Sequence, residues 1–408
     1  MSTIGVAAVV ALVVAVAASG CRPAGSGPVV RPGIDVLLED SLDLVEGRRV
    51  GLITNRSGVA RDGRSSIDAL REQPGVDLRA LFAPEHGIRG TEEEGKRIDD
   101  AIDEATGLPV YSLYGASRAP TREMLEGIDV LLFDLQDIGA RYYTYLSTMA
   151  YAMRAAGAAG LPFVVLDRPN PIGGRMGGPV LDPRFASFVG LFPVPVRHGM
   201  TAGELARMYV GEFGIDVDLS VVPVEGWTRQ AWFDETGLPW IAPSPNMPDL
   251  ESAAHYPGTC LLEGTNLSVG RGTPAAFQQF GAPWLDGSAL AGRLRARGLP
   301  GVRITAVEFT PVSPSDGKFA GRRVSGVRLT VTDRARYDPV EMGVAVLLDA
   351  RSLAGDNWVW DERHIDRLAG SDRLRLAVDA GTSLETIMSP WSADLGSFDR
   401  LRAPYLLY

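Results

Sequence analysis

The chain has 408 residues, 45% hydrophobic and 22% charged, which is length and apolar content enough for two domains around a large core. Its formal net charge of −10 argues against a non-specific nucleic-acid binder, which needs a basic surface to meet phosphate. No basic run, zinc-finger spacing, coiled-coil heptad or fixed-period repeat occurs.

The first 21 residues carry no charge. An apolar run, Ile4 to Ala18, leads through Ala18-Ser19-Gly20 to Cys21, a pattern like a bacterial lipoprotein processing site. Residues 1–21 are therefore expected to be an export leader with Cys21 as the lipidated residue, and the protein to sit at the cell envelope. The run lacks the Lys or Arg that normally precedes a secretory signal, so an uncleaved anchor is the alternative. Residues 22–32, rich in Pro and Gly, read as a tether.

From Gly33 onward, apolar strand-like runs alternate with helical stretches. Strands are predicted over Arg48–Thr54, Asp77–Phe82, Pro109–Leu113, Asp129–Asp134 and Pro162–Asp167. Helices are predicted over Ser65–Glu72, Thr121–Glu126 and Tyr145–Ala156. Continuous apolar strands separated by helices imply a parallel sheet covered on both faces. Residues 33–185 thus read as a Rossmann-like, doubly wound α/β domain. No G-x-G-x-x-G follows the first strand and no Walker A sequence occurs, so nothing points to a dinucleotide. After Phe185 the alternation is less regular. A helix over Thr201–Tyr209 opens with the capping box Thr201/Glu204, another spans Val340–Leu353, and strands fall at Val302–Pro311 and Arg323–Thr332. Residues 186–408 read as a smaller α+β domain.

Polar residues gather at the loop ends of these strands, where open α/β sheets bind ligands. Ala83-Pro84-Glu85-His86-Gly87-Ile88-Arg89-Gly90 places a carboxylate, an imidazole and a guanidinium in a Gly/Pro-stiffened loop. Asn55-Arg56-Ser57-Gly58 is either a turn or a ligand loop. Asp134-Leu135-Gln136-Asp137-Ile138-Gly139 runs into Arg141-Tyr142-Tyr143-Thr144-Tyr145. That composition suits a carbohydrate, whose rings stack on aromatics and whose hydroxyls bond carboxylates and amides. Asp137 and Arg141 equally fit a structural i,i+4 pair. In Asp167-Arg168-Pro169-Asn170-Pro171, a structural Asp–Arg pair competes with a site role. His198 precedes the capped helix; the four histidines show no H-x-x-x-H or E-x-x-H spacing, and no metal site is expected. Ser244-Pro245-Asn246, Tyr256-Pro257-Gly258, Glu263-Gly264-Thr265-Asn266 and Gly270-Arg271-Gly272-Thr273 complete the set, with Glu263 a second carboxylate at the end of an element.

Taken in order, PEHGIRG, DLQDIGARYYTY, DRPNPIGG, HGMT, SPNMP, YPGTCLLEGTN and GRGT resemble the NamZ-type exo-β-N-acetylmuramidases. These are a bacterial glycoside hydrolase family formerly described as a domain of unknown function. The likeness runs from about Gly33 to the C-terminus. It implies a Rossmann-like catalytic domain, a smaller C-terminal domain and a cleft between them. It also implies exo-cleavage of terminal N-acetylmuramic acid (MurNAc) from peptidoglycan-derived saccharides such as MurNAc-GlcNAc, without an organic cofactor. The family's PEHG glutamate falls on Glu85. His86, Asp134, Gln136, Arg141, Tyr143, Asp167, Asn170, His198, Asn246, Glu263, Asn266 and Arg271 fall in the matching motifs. The expected catalytic set is Glu85, His86, Asp134 and Glu263. The remainder, with Asn55, Arg89 and Asp137, are expected to bind substrate. Glycosidic cleavage needs an acid for the leaving oxygen and a second group at the anomeric centre. The lactyl carboxylate of MurNAc calls for a cation, Arg271 or Arg141. A non-catalytic peptidoglycan-binding lipoprotein using the same cleft is the alternative.

Overall fold

The computed structural model describes residues 30–89 and 99–408. Cys21, the leader expected over 1–21 and residues 22–29 of the tether lie outside the described residues, as does Gly90 of the PEHG loop.

Helix α1 (Gly33–Asp40) leads into β1 (Arg49–Thr54), followed by α2 (Ser66–Glu72), β2 (Asp77–Ala83), β3 (Ala101–Ile102), β4 (Pro109–Ser112) and β5 (Val130–Asp134). Next come α3 (Tyr145–Ala159), β6 (Phe163–Leu166), the paired strands β7 (Gly177–Val180) and β8 (Pro195–Arg197), α4 (Ala202–Gly211) and β9 (Leu219–Val222). The main sheet has the order β3-β4-β2-β1-β5-β6-β9, parallel except where β3 meets β4. Without that edge strand, the order is 3-2-1-4-5-6 in chain numbering, the arrangement of a dinucleotide-binding Rossmann sheet.

The apolar runs become buried strands because helices cover both faces. On β5 the side chains alternate between the faces. Leu131 and Phe133 pack with Met149 and Met153 of α3 and Leu205 of α4; Val130 and Leu132 pack with Ile34 and Leu37 of α1 and Leu70 of α2. The Ser65 side chain caps α2 by accepting from the Asp68 amide, and Thr201 and Glu204 form the expected capping box on α4.

Two expectations change. Thr121–Glu126 forms turns, not a helix: its amides bond mostly to carbonyls three residues back, Leu125 to Arg122 and Glu126 to Glu123, each at 3.2 Å. The sheet also continues past residue 185, with α4 as the crossover from β6 to the parallel strand β9. The Pro-rich stretch between β6 and α4 hides this continuity in the sequence.

The C-terminal part carries α5 (Leu250–Thr259), β10 (Gln279–Ala282), α6 (Gly287–Ala296), β11 (Val302–Phe309), β12 (Val324–Val331) and α7 (Pro339–Ala354). Four short helices follow: α8 (Glu362–Ala369), α9 (Arg373–Asp379), α10 (Leu384–Met388) and α11 (Trp391–Arg402). Its sheet is antiparallel, in the order β10-β12-β11. Tyr142, Tyr143, Tyr256 and Phe277 join the two parts edge-to-face, with centroids 5.5 Å (Tyr142–Tyr256), 5.9 Å (Tyr143–Tyr256) and 4.6 Å (Tyr256–Phe277) apart.

The crevice where a Rossmann sheet holds its nucleotide lies between β1 and β5. Here protein fills it. Asn55 Nδ2 donates to the Tyr145 hydroxyl at 2.8 Å and to the Pro243 carbonyl at 3.2 Å, and Arg56 Nε donates to the Ala242 carbonyl at 2.7 Å. A void of about 10 Å³ remains.

Candidate active site

A cavity of about 690 Å³ opens beyond the end of β2, between the parallel-sheet part and the C-terminal part. That volume suits a small saccharide. One wall carries Glu85, Tyr114, Tyr143 and Thr144; the other carries Tyr256, Glu263, Arg271, Asp316 and Lys318.

Pro84 leaves β2, and His86 (φ 74°) and Gly87 (φ 72°) then take left-handed backbone conformations in succession. For a histidine this conformation costs about 1–3 kcal/mol and persists only where surroundings enforce it. The turn delivers Glu85, buried, to the cavity wall. Glu85 Oε2 accepts from Thr144 Oγ1 at 2.6 Å, just before α3. The Tyr114 hydroxyl also hydrogen-bonds Glu85, and burial, reinforced by that carboxylate, pushes the phenol up to about 12.

Across the cavity, Glu263 Oε1 accepts from Arg271 Nε at 2.7 Å and lies 2.6 Å from Nη2, while Oε2 accepts from the Cys260 thiol at 3.3 Å. Burial pushes the Glu263 carboxyl up to about 7 against the pull of Lys318. Burial lowers Arg271 to about 10, with its guanidinium 4.9 Å from the Phe277 ring centroid. It also raises the Cys260 thiol well above its ordinary range, so this cysteine is a hydrogen-bond donor, not a nucleophile. Lys318 Nζ donates to the carbonyls of Glu263 and Thr265 at 3.1 and 2.8 Å.

The structure brings Glu85, His86, Tyr143, Asn246, Glu263 and Arg271 to this cavity. It places the other expected residues away from the cavity wall. Asp134 is buried in an ion pair with Arg168. Arg141 donates to the carbonyls of Pro179, Val194 and Leu368, and burial lowers it to about 10; it is neither the lactyl cation nor a partner of Asp137. Asp137 accepts from the Gly139 amide at 2.7 Å and lies 3.2 Å from His198 Nε2, whose Nδ1 takes the Met200 amide. Gln136 donates to the Asp137 and Pro169 carbonyls, and Asn170 to Met200. Asp167 accepts from Thr201, Gly203 and Tyr408. Asn55 ties down its own loop, and Asn266 bonds the backbone of Asn357 and Val359. Arg89, three-fifths exposed, pairs with Asp103 on a separate hollow. Most of these polar atoms hold loops in place; Asp137 Oδ1, Arg141 Nε and His198 Nε2 are buried without a hydrogen-bond partner among the described residues.

Sequence reasoning missed Tyr114, Arg118, Asp316, Lys318 and Arg367. Asp316-Gly317-Lys318 lies in the loop joining β11 to β12, where Asp-Gly reads as turn chemistry.

Fold and site together define a two-domain α/β enzyme whose carboxylate, aromatic and cationic cleft fits an acidic sugar. The chain matches the family described as exo-β-N-acetylmuramidase NamZ, its N-terminal part over residues 50–251 and its C-terminal part over 254–408. It belongs to the NamZ exo-β-N-acetylmuramidase family. It is 47% identical over 383 residues to the peptidoglycan β-N-acetylmuramidase NamZ of Bacillus subtilis (strain 168), covering 93% of this chain and 92% of that protein. Crystal structures of two DUF1343 family proteins from Bacteroides fragilis NCTC 9343 share the fold. One has a TM-score of 0.86 at 39% identity and the other 0.74 at 31%, each covering 93% of this chain and 99% of its own. The division after residue 251 keeps α4 and β9 with the first sheet.

Proposed function

We propose that this protein is an exo-acting glycoside hydrolase that releases non-reducing terminal MurNAc from peptidoglycan-derived saccharides, with Glu85 as general acid. The observation that carries this reading is the placement of Glu85, turned into the cavity by a strained loop and oriented by Thr144 and Tyr114. From there it protonates the oxygen of the leaving sugar as the glycosidic bond breaks. Aromatic rings that line the cavity, among them Tyr114 and Phe188, supply apolar contact for sugar rings. Arg271, Lys318 and Arg367 give one wall positive charge for the lactyl carboxylate, in a chain that is acidic overall. Incubation with MurNAc-GlcNAc, GlcNAc-MurNAc and a chromogenic β-MurNAc glycoside tests this. Release of MurNAc from the first and third, with the second untouched, is the expected result. Binding without turnover would make the protein a glycan-binding module instead.

We also propose that the chain is exported and held at the envelope through a lipid on Cys21. The apolar leader ending in Cys21 and an envelope substrate support this reading. Cys21→Ser is expected to move the protein out of the membrane fraction or leave it unprocessed. An unchanged soluble cytoplasmic distribution of both forms would contradict it.

A further inference from the structure

Asp316 is a cleft carboxylate with an unspent oxygen. Its Oδ1 accepts the Lys318 amide at 3.1 Å, while Oδ2 is buried with no hydrogen-bond partner among the described residues. An acceptor left this way is costly unless a ligand or a water brings the donor. The loop that presents it is tightly held. Ser313 (φ 47°) and Phe319 (φ 57°) adopt left-handed conformations on either side of it. Val312 and Gly321 close it through backbone bonds to Gly272 at 2.9 Å and Pro311 at 2.8 Å. Lys318 pins it to the carbonyls of Glu263 and Thr265. Strain of this kind collects where a side chain must be aimed.

The other carboxylates of the cleft are committed differently. Glu85 is placed as the acid, and Glu263 gives one oxygen to Arg271 and the other to Cys260. Glu85 and Asp316 line the same cavity, together with Glu263 and Arg271. A MurNAc ring there carries a 2-acetamido group next to the anomeric carbon. Its N–H is a donor, and its carbonyl oxygen is a nucleophile that makes a protein nucleophile unnecessary.

We propose that Asp316 is a second catalytic residue: its Oδ2 accepts the acetamido N–H of the bound MurNAc and so aims the acetamido oxygen at the anomeric carbon. This rests on the muramidase reading above. The acetamido oxygen forms a bond to C1 as the C1–O bond to the leaving sugar breaks. The Glu85 proton passes to the leaving oxygen, and the sugar becomes a cyclic oxazolinium ion whose N–H bears on Asp316. Water then attacks C1, the ring C–O bond reopens to the acetamide, and the proton of the water returns to Glu85. Two displacements at C1 give MurNAc with retained β configuration.

The test uses the full-length protein and aryl β-MurNAc glycosides carrying acetyl, difluoroacetyl or trifluoroacetyl on the 2-nitrogen. Wild type is expected to slow steeply as fluorine weakens the acetamido oxygen, and to release β-MurNAc first by proton NMR. Asp316→Asn is expected to lose roughly 100-fold or more in kcat, the scale of a lost transition-state contact, without losing thermal stability. An α product, rates independent of fluorination, or wild-type kcat in Asp316→Asn would each overturn the proposal while the muramidase reading stands. A wild-type protein that turns over none of the series contradicts both.

Discussion

Arg168 grips Asp134 at two points, with Nε 2.5 Å from Oδ1 and Nη2 2.9 Å from Oδ2, and Ser66 Oγ closes on the same carboxylate. Both partners are buried, and the pair ties the end of β5 to the loop after β6 and to the start of α2. A carboxylate so engaged is structural. Asp134→Asn strands a buried guanidinium and should cost about 3–5 kcal/mol in urea unfolding, the range for breaking a buried pair. Activity per folded molecule should be unchanged. A stable variant with lost kcat would return Asp134 to the catalytic machinery.

Asp167 plays a similar part at the end of β6. Its Oδ2 accepts from Thr201 at 2.6 Å and from Tyr408 at 2.7 Å, anchoring the last residue of the chain. Burial pushes its carboxyl from 3.8 up to about 6. The folded state therefore holds this proton more tightly than the unfolded state. The stability it contributes is complete below about pH 3.8 and is lost as pH rises through 6, a change of about 3 kcal/mol. In Asp167→Asn the group no longer titrates. The stability difference between wild type and variant, followed by chemical denaturation from pH 4 to 7, should show this slope. A difference independent of pH would contradict it.

Arg367 of α8 lines the cleft and forms no ion pair with any described residue, whereas Arg271 is already held by Glu263. With Arg118, which also lines the cleft without an ion pair to any described residue, it has capacity left for a lactyl carboxylate. Arg367→Gln should lower kcat/KM on an aryl MurNAc glycoside by roughly 10- to 150-fold, the equivalent of about 1.5–3 kcal/mol for a charge-assisted hydrogen bond. The change should appear mainly in KM, and residual activity on the GlcNAc counterpart, which lacks the carboxylate, should not move. Equal losses on both sugars would show that Arg367 supports the fold of the cleft instead.

The fold was legible wherever burial left a pattern. β5 and β6 are apolar throughout because both faces are covered, and the Thr201/Glu204 capping box marked α4 directly. β9, half-buried at the sheet edge, carries no such signature, so the sequence pattern breaks off before the sheet does. The site was legible at Glu85, where a strand ends in a proline and a charged loop. It was misleading at Arg141 and Asn170, because a polar residue that bonds a distant carbonyl looks like one that bonds a ligand. The carbonyl reached by Arg141 Nη2 belongs to Leu368, 227 residues away. Asp316 and Arg367 come to the cleft only through the packing of the C-terminal part.

In the proposed reaction Glu85 supplies the proton. Glu85→Gln keeps the shape of the side chain but has no proton to transfer. General acid assistance is worth roughly 100- to 10,000-fold. The direct measurement is kcat of wild type and Glu85→Gln on MurNAc-GlcNAc and on a dinitrophenyl β-MurNAc glycoside, whose leaving group needs little protonation. A loss of that size is expected on the disaccharide, a much smaller loss on the dinitrophenyl glycoside, and unchanged thermal stability. Wild-type turnover of the disaccharide by Glu85→Gln, or equal losses on both substrates, would contradict it.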